Sequence, residues 1–202
     1  MEEGNPGTAI TGAWAAIEGL LARADEKGTV AADRMADLVT CSWARAELTS
    51  LAWTATRTGS ELADRLNAVS GGVRARELEQ MIRNAEPLEF ERAHDQAAVE
   101  RMHAAVQSPA EVLSRLRGYA SSAFRRLYTQ RNLVMHAGSF HSCALRTTLR
   151  TLPPLVGAGL DRVAWAAQCS PAVPAVALAA RAEVELSLVG QPGGRWLTDL
   201  LD

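Results

Sequence analysis

Cysteine is scarce in this chain, and its placement excludes two common uses of the residue. The 202 residues include three cysteines, Cys41, Cys143 and Cys169, which lie far apart and are odd in number. A disulfide framework or a CxxC metal motif requires paired or closely spaced cysteines, so neither is expected. The pattern favours a reducing compartment, and we expect a cytoplasmic protein.

Long apolar runs are also lacking. No stretch of about 18 apolar residues occurs, and the first ten residues, MEEGNPGTAI, contain neither the basic region nor the apolar core of a signal peptide. We therefore expect neither a membrane span nor secretion. With 48% hydrophobic residues, a chain of 202 is long enough for one domain with a substantial core.

Neither sign of charge dominates the sequence. The net charge is −2, which argues against a protein whose whole surface binds a polyanion, although a local basic patch remains compatible with it. Lys27 is the one lysine among the 21 basic residues. Together with the abundant alanine this indicates a GC-rich coding sequence, so the arginine content is no evidence for RNA binding.

Helical periodicity, by contrast, runs through almost the whole chain. Apolar residues recur at spacings of three and four, and strand alternation is rare. The predicted helices cover, in chain order, about residues 8–26, 30–57, 60–72, 73–84, 86–107, 109–138, 140–168 with an interruption at Pro153-Pro154, and 175–189. The sequence therefore predicts an all-α fold, an up-and-down helical bundle of about four core helices with extra short helices.

The domain organisation follows from composition along the chain. We predict one helical domain over residues 8–168, in which the less apolar stretch 60–107 forms an insertion or an arm. Residues 169–202 are expected to form a C-terminal helix and a tail packed on the same domain. The large side chains expected to fill the core include Trp14, Trp43, Trp53 and Trp165.

The helix predicted over 109–138 has clear signals at both ends. Ser108 can cap its first turn, Pro109 suits the first helical position, and Glu111 completes a capping box. Gly138 offers a C-terminal cap. The stretch YTQRNLVMHAG, residues 128–138, therefore lies at the end of a long helix.

Arg131 and His136 in this stretch carry the chemistry of interest. A guanidinium is suited to holding a phosphodiester, and an imidazole can take and return a proton near neutral pH. Together they can cleave RNA without a metal: the base removes the 2′-hydroxyl proton, that oxygen attacks the adjacent phosphorus, and the cation stabilises the phosphoryl oxygens. The product would carry a 2′,3′-cyclic phosphate. An arginine and a histidine at one spacing are a weak motif in a chain so rich in arginine.

Helix geometry also separates the two side chains. Five residues along an unbroken α-helix turn two side chains roughly 140° apart. They converge if the helix loosens before His136, which Ala137-Gly138-Ser139 would permit, or if a two-fold dimer pairs two copies of the motif. The second route gives a composite site of two arginines and two histidines.

The motif in its context resembles the HEPN superfamily, and most closely the Apea-like HEPN domains of prokaryotic conflict systems. Leu127-Tyr128, Arg131-Asn132, His136 and the following glycine resemble its signature, an arginine with a polar neighbour and a histidine four to six positions later at a helix end. The segment AWAAIEGLLA, residues 13–22, is similar to the Trp-x-x-x-Glu-x-Leu pattern of the first helix in that branch. The resemblance covers roughly residues 8–168.

The resemblance implies a function and a role for each matching residue. It implies a bundle of about four core helices that dimerises to pair its motifs and acts as a metal-independent endoribonuclease, often a toxin or an effector in antiphage defence. Arg131 would bind the scissile phosphate, His136 would be the general base or acid, and Asn132 would orient the pair or bond the phosphate. Glu18 is either a carboxylate near the motif or a solvated helix residue.

Further residues near the motif have weaker assignments. Arg125, Arg126 and His141 are candidates for binding the RNA backbone, although a solvated helix face explains the two arginines equally well. Tyr128 could stack on a base, but packing is the commoner role of one aromatic at a helix end. A set of His136, His141 and Cys143 matches no strong zinc pattern, so neither a metal nor a cofactor is expected.

The expected partners follow from the function. They are an RNA substrate, a second copy of the chain, and a regulatory protein or domain that restrains a harmful activity. The alternative, from another functional class, is a non-catalytic helical domain for dimerisation and for protein or nucleic-acid binding, in which the motif serves as a contact.

Overall fold

The computed structural model describes residues 5–138 and 143–202. Helices make up 77% of the structure, and the described residues include no strand. This confirms the predicted all-α class. The α-helices of this part of the chain are α1 (Pro6–Leu21), α2 (Gly28–Ala55), α3 (Glu61–Asn67), α4 (Arg74–Arg83), α5 (Ala93–Gln107), α6 (Pro109–Ala137), α7 (Cys143–Cys169) and α8 (Ala175–Leu188), and a short 3-10 helix covers Leu197–Asp199.

Helix α6 begins and ends where the sequence predicts. It starts at Pro109, whose missing N–H removes no bond at a first helical position. It ends at Ala137, and Gly138 follows with a φ of 59°, in the left-handed region that favours glycine. His136 therefore lies in the last turn of a helix that is continuous through it.

Helix α7 is not interrupted at Pro153-Pro154, so that prediction was wrong. Both prolines lie inside the continuous helix Cys143–Cys169. A proline removes one backbone hydrogen bond and disfavours a helix interior, but tertiary packing can outweigh that cost. Here the residues on both sides of the prolines share one buried face, which includes Leu145, Leu152 and Val156.

The chain forms two compact units. The first, which we call the motif unit, comprises the described residues of 1–40 and 115–184. The second, the tail unit, comprises residues 41–114 and 185–202. Residues of the predicted insertion 60–107 are part of the tail unit's core, where Leu66, Leu78 and Met102 are buried. The single-domain boundaries stay a prediction.

The core of the motif unit is built from α1, α7 and the parts of α2 and α6 that belong to it. Helix α1 contacts α7 and buries Trp14 and Ile17 completely. Asp33 and Asp37, in that order along α2, pair with Arg125 and Arg117 of α6. Because residue numbers fall on one helix as they rise on the other, the two helices run antiparallel.

The tail unit is organised around a buried carboxylate. Glu79 on α4 is 0% exposed and accepts hydrogen bonds from the backbone N–H groups of Leu197 and Thr198 and from the Thr198 hydroxyl. Arg83 donates to the same carboxylate. The chain's last residues are thereby fixed to α4 by charge-assisted hydrogen bonds.

The tryptophan prediction holds only in part. Trp14 is fully buried and Trp43 is half-buried, but Trp53 and Trp165 are largely exposed. Helical spacing placed these tryptophans on apolar stripes, and a stripe does not reveal which of its positions a neighbouring element covers.

Among the described helices, none combines the length and apolar character that crossing a bilayer requires.

Candidate functional site

Arg131 is held at the surface of the motif unit by two neighbours. Its Nη1 donates to Asn132 Oδ1 at 2.9 Å, and its Nη2 lies 3.6 Å from Glu18 Oε2 on α1. The contact to Glu18 is an ion pair rather than a hydrogen bond, because the two atoms are too far apart for one. The side chain is partly exposed, so the guanidinium remains accessible to a further anion.

His136 is exposed in the last turn of α6. Because α6 is continuous to Ala137, its side chain points away from that of Arg131 by the roughly 140° of an unbroken helix. The local loosening that would bring the two together is therefore not present. Asn132, one turn before His136, lies on the same face as the histidine and also accepts from Arg131.

Glu18 belongs to the first-helix pattern and Arg131 to the motif near the end of α6. The structure brings these two side chains together. They are separated by more than a hundred residues, and their side chains form an ion pair. Of the two roles left open for Glu18, the position near the motif is the observed one. The sequence signal for this contact was the spacing of Trp14 and Glu18. The two residues lie one helical turn apart on α1, so both face α6.

The side chain of Tyr128 packs against that of Trp14. Its ring centroid lies 5.0 Å from that of Trp14 at an interplanar angle of 46°. A Cβ built on Gly28 would come within 2.7 Å of its ring, so the absence of a side chain at Gly28 makes room for the tyrosine. These contacts fix the helix one turn before Arg131, and they use the ring surface that base stacking would need.

The residues proposed for RNA-backbone contact differ in their surroundings. Arg125 is paired with Asp33, 2.7 Å away, and Ser121 also donates to that carboxylate. Arg126 is exposed. His141 lies outside the described residues. Arg125 therefore has a structural partner that no sequence signal predicted, since Asp33 lies 92 residues away along the chain.

The carboxylates that pair with α6 have altered pKa values. Burial raises the pKa of the Asp37 carboxyl, and the bonds from Arg117 act against that rise. Burial also acts on Asp33, but hydrogen bonds from Arg125 and Ser121 outweigh it and lower its pKa. The Asp33–Arg125 pair therefore favours the charged forms of both groups.

No set of three or more His, Cys, Asp or Glu side chains in the described ranges is arranged to hold a metal ion. The tail unit also has a cavity that the sequence did not predict, because its lining residues share no motif.

Comparison with family models, with curated proteins and with solved structures finds no match for this chain.

Proposed function

We propose that the chain is a metal-independent endoribonuclease of HEPN type that cleaves RNA to a 2′,3′-cyclic phosphate. The observation that supports this most is the cluster of Glu18, Arg131 and Asn132 beside the exposed His136. A guanidinium held by a long ion pair and one hydrogen bond keeps donors free for a phosphate. The imidazole is accessible to a 2′-hydroxyl.

The active site is composed of two copies of the motif. One chain directs Arg131 and His136 apart, so the arginine of one copy acts with the histidine of the other. The surface near the motif suits such a pairing, because Leu133 and Met135 are large apolar side chains that are exposed there. Met135 is 55% exposed, and it lies one helical turn from Arg131 on the same face of α6.

Within that site each residue has one task. His136 takes the 2′-hydroxyl proton, the freed oxygen attacks phosphorus, and the leaving 5′-oxygen takes a proton from water, whose hydroxide is then neutralised by the imidazolium proton. Arg131 stabilises the charge on the non-bridging oxygens, and Asn132 orients the arginine. The biological setting we propose is cytoplasmic antiphage defence or growth arrest, with a regulatory partner that restrains the enzyme.

The test compares the wild type with Arg131→Ala and His136→Ala on a panel of RNAs in EDTA. Wild type should produce 2′,3′-cyclic phosphate ends, and each variant should lose at least about a hundredfold in rate. Arg146→Ala, which removes an exposed arginine on α7, serves as the matched control and should cleave normally. Equal cleavage by all chains, or none by wild type, would contradict the assignment and leave a non-catalytic binding domain.

A further inference from the structure

Helix α6 carries positive charge that its own acidic residues do not balance. Beyond its first turn it contains five arginines and no aspartate or glutamate. Three of them, Arg117, Arg125 and Arg131, pair with carboxylates of α2 and α1. In the part of the chain that the structure describes, Arg115 and Arg126 are exposed and have neither a hydrogen bond nor an ion pair. Their charges are therefore available to an anion.

These two arginines belong to an exposed stripe of α6 that leads to His136. The residues of this α6 stripe, all of them exposed, are Arg115, Tyr119, Ser122, Arg126, Thr129 and His136. Steps of three, four and seven residues keep these positions within about 100° of one another around the helix. With a rise of about 1.5 Å per residue the stripe is about 30 Å long, and Arg126 lies about 15 Å from His136. A strand-like ligand that lies along the stripe therefore reaches the imidazole.

Tyr119 adds an open aromatic ring to the α6 stripe. The residue is 67% exposed, the largest fraction among the large apolar and aromatic residues that the structure describes. Gly118 precedes it, and a Cβ built on that glycine would meet no atom within 4 Å. The ring of Tyr128, by contrast, packs against Trp14. Every nucleobase has a π-face that can stack on an open ring, so Tyr119 offers a contact that the arginines lack.

This combination of groups fits an unpaired RNA strand. The guanidinium groups of Arg115 and Arg126 can contact phosphates, and the release of counterions from a polyanion favours such contacts. A base can stack on Tyr119 only where it is unpaired, because the bases inside a duplex already stack on one another. Charge on both sides of an open ring along one straight helix face therefore favours a single strand over a duplex.

A second copy of the chain is a poorer occupant of the α6 stripe. Two stripes packed together would bring Arg115 and Arg126 against the same residues of the other chain, with no acidic residue among the members of either stripe. Like charges that face each other disfavour association. The exposed apolar side chains that suit pairing, Leu133 and Met135, lie beyond both arginines, near the end of α6. The charge of the stripe therefore favours a polyanion.

We propose that the α6 stripe binds the single-stranded RNA on one side of the cleavage site. Phosphates contact Arg126 and Arg115, an unpaired base stacks on Tyr119, and the strand brings a 2′-hydroxyl to His136. The inference rests on the proposed ribonuclease function for the role of His136, whereas binding to the stripe is measured without cleavage. It implies that the substrate is unpaired over several nucleotides beside the scissile bond.

Fluorescence anisotropy with a labelled RNA decamer that forms no secondary structure tests the proposal. The parent chain is His136→Ala, which prevents cleavage during the measurement and should bind the decamer saturably. Adding Tyr119→Ala should weaken binding at least about fivefold, because one stacked base is lost, and should leave the salt dependence unchanged. Adding Arg126→Ala or Arg115→Ala should weaken binding about fivefold at low salt and reduce the slope of log affinity against log salt by about 0.7.

Matched controls remove the same residue types from positions outside the stripe. Arg146→Ala removes an exposed arginine of α7, and Trp165→Ala removes a tryptophan of α7 that is 56% exposed. Added to the parent chain, each should leave the affinity for the decamer unchanged. A blunt RNA duplex should bind no more tightly than the decamer, and its binding should be insensitive to Tyr119→Ala. Thermal melting and sedimentation should show that every variant is folded and keeps the oligomeric state of its parent.

Several outcomes overturn the proposal. The parent chain does not bind the decamer at about 100 µM, or the two controls weaken binding as much as the stripe substitutions do, which would indicate a general attraction to charge. A change of oligomeric state in the stripe variants would make the stripe an interface between copies, and tighter binding of the duplex would exclude a single-strand site.

The same samples separate this inference from the proposed function. Binding through the stripe, beside a wild type that does not cleave RNA, would contradict the ribonuclease function and support the stripe as an RNA site. Cleavage by the wild type, with unchanged binding in all three stripe variants, would support the function and overturn the stripe.

Discussion

The two ends of helix α6 use the same residue type in different ways. Toward its beginning, Arg117 makes two hydrogen bonds with the buried Asp37, and Arg125 makes a close ion pair with Asp33. At its end, Arg131 has one bond to Asn132 and a 3.6 Å contact to Glu18. The difference indicates that the first two arginines hold helices together, whereas the third, which is paired more loosely, is the one that we propose to bind a phosphate.

The largest expected effect on stability comes from Arg117→Ala. Asp37 is 3% exposed, and the substitution leaves its carboxylate without the guanidinium that stabilises it. We expect the free energy of unfolding at pH 7 to fall by about 2 kcal/mol, less than for a fully buried pair because Arg117 is partly exposed. Urea unfolding measures it. A loss below about 0.5 kcal/mol would place Arg117 with the surface arginines.

The same variant should respond to pH with a defined sign. Burial raises the pKa of Asp37, and removing the cation should raise it further above its unfolded value. A carboxyl with a raised folded pKa stabilises the fold below the unfolded pKa, and that contribution is lost as pH rises through the folded pKa. The deficit of Arg117→Ala relative to wild type should therefore be smaller at pH 4 than at pH 7. A stability deficit that stays the same between pH 4 and pH 7 would contradict this prediction.

A smaller effect is expected for Arg125→Ala. Its pair with Asp33 is exposed on both sides, so solvent screens the attraction. The loss should be about 0.5 to 1 kcal/mol and should shrink in 1 M salt, where the Debye length is roughly 3 Å. If the loss equalled that of Arg117→Ala, the distinction between a buried and an exposed pair on α6 would fail.

Glu18→Gln should separate stability from activity. The contact with Arg131 is long, so unfolding should change by less than about 0.5 kcal/mol. Cleavage should fall by roughly tenfold, because the carboxylate no longer holds the guanidinium in position. Cleavage kinetics and urea unfolding on the same samples provide the comparison. A matched control is Glu183→Gln, whose carboxylate lies 3.8 Å from Arg117. A stable variant with full activity would show that Glu18 does not orient Arg131.

The last effect depends on pH and concerns Glu26, just before α2. Two hydrogen bonds from Arg34 are the main reason that its pKa is lowered to about 2. A carboxyl with a lowered folded pKa stabilises the fold above its unfolded value, near 4.5, and that contribution is lost as pH falls toward 2. The melting temperature of Glu26→Gln should therefore approach that of wild type between pH 4.5 and pH 2. Parallel curves across that window would contradict this.

Local signals in the sequence predicted the helices better than the contacts between them. Pro109 and Gly138 fixed the ends of α6 because capping depends on neighbouring residues. Pro153 misled because the penalty for an interior proline was outweighed by packing that a single segment does not reveal. The partner of Arg125 could not be predicted, since ion pairs across 92 residues leave no periodic trace.

For the candidate site, too, the sequence predicted the residues but not the contacts between helices. The residue types and spacing of Arg131, Asn132 and His136 were readable, and so was the pattern that contains Glu18. The distance from Glu18 to Arg131 depends on how α1 packs against α6, which involves Trp14 and Tyr128. The cavity in the tail unit, whose lining includes Trp53 and Asp95, had no sequence signal, because its walls come from two separate stretches of the chain, 53–62 and 89–95.

The most direct test of the central claim is complementation between two inactive chains. Arg131→Ala and His136→Ala are refolded together in equal amounts, so that about half of the dimers pair an intact His136 in one chain with an intact Arg131 in the other. The account predicts that RNA cleavage in EDTA returns in the mixture and is absent from either variant alone. An inactive mixture of confirmed mixed dimers, beside an active wild type, would contradict a site composed of two chains.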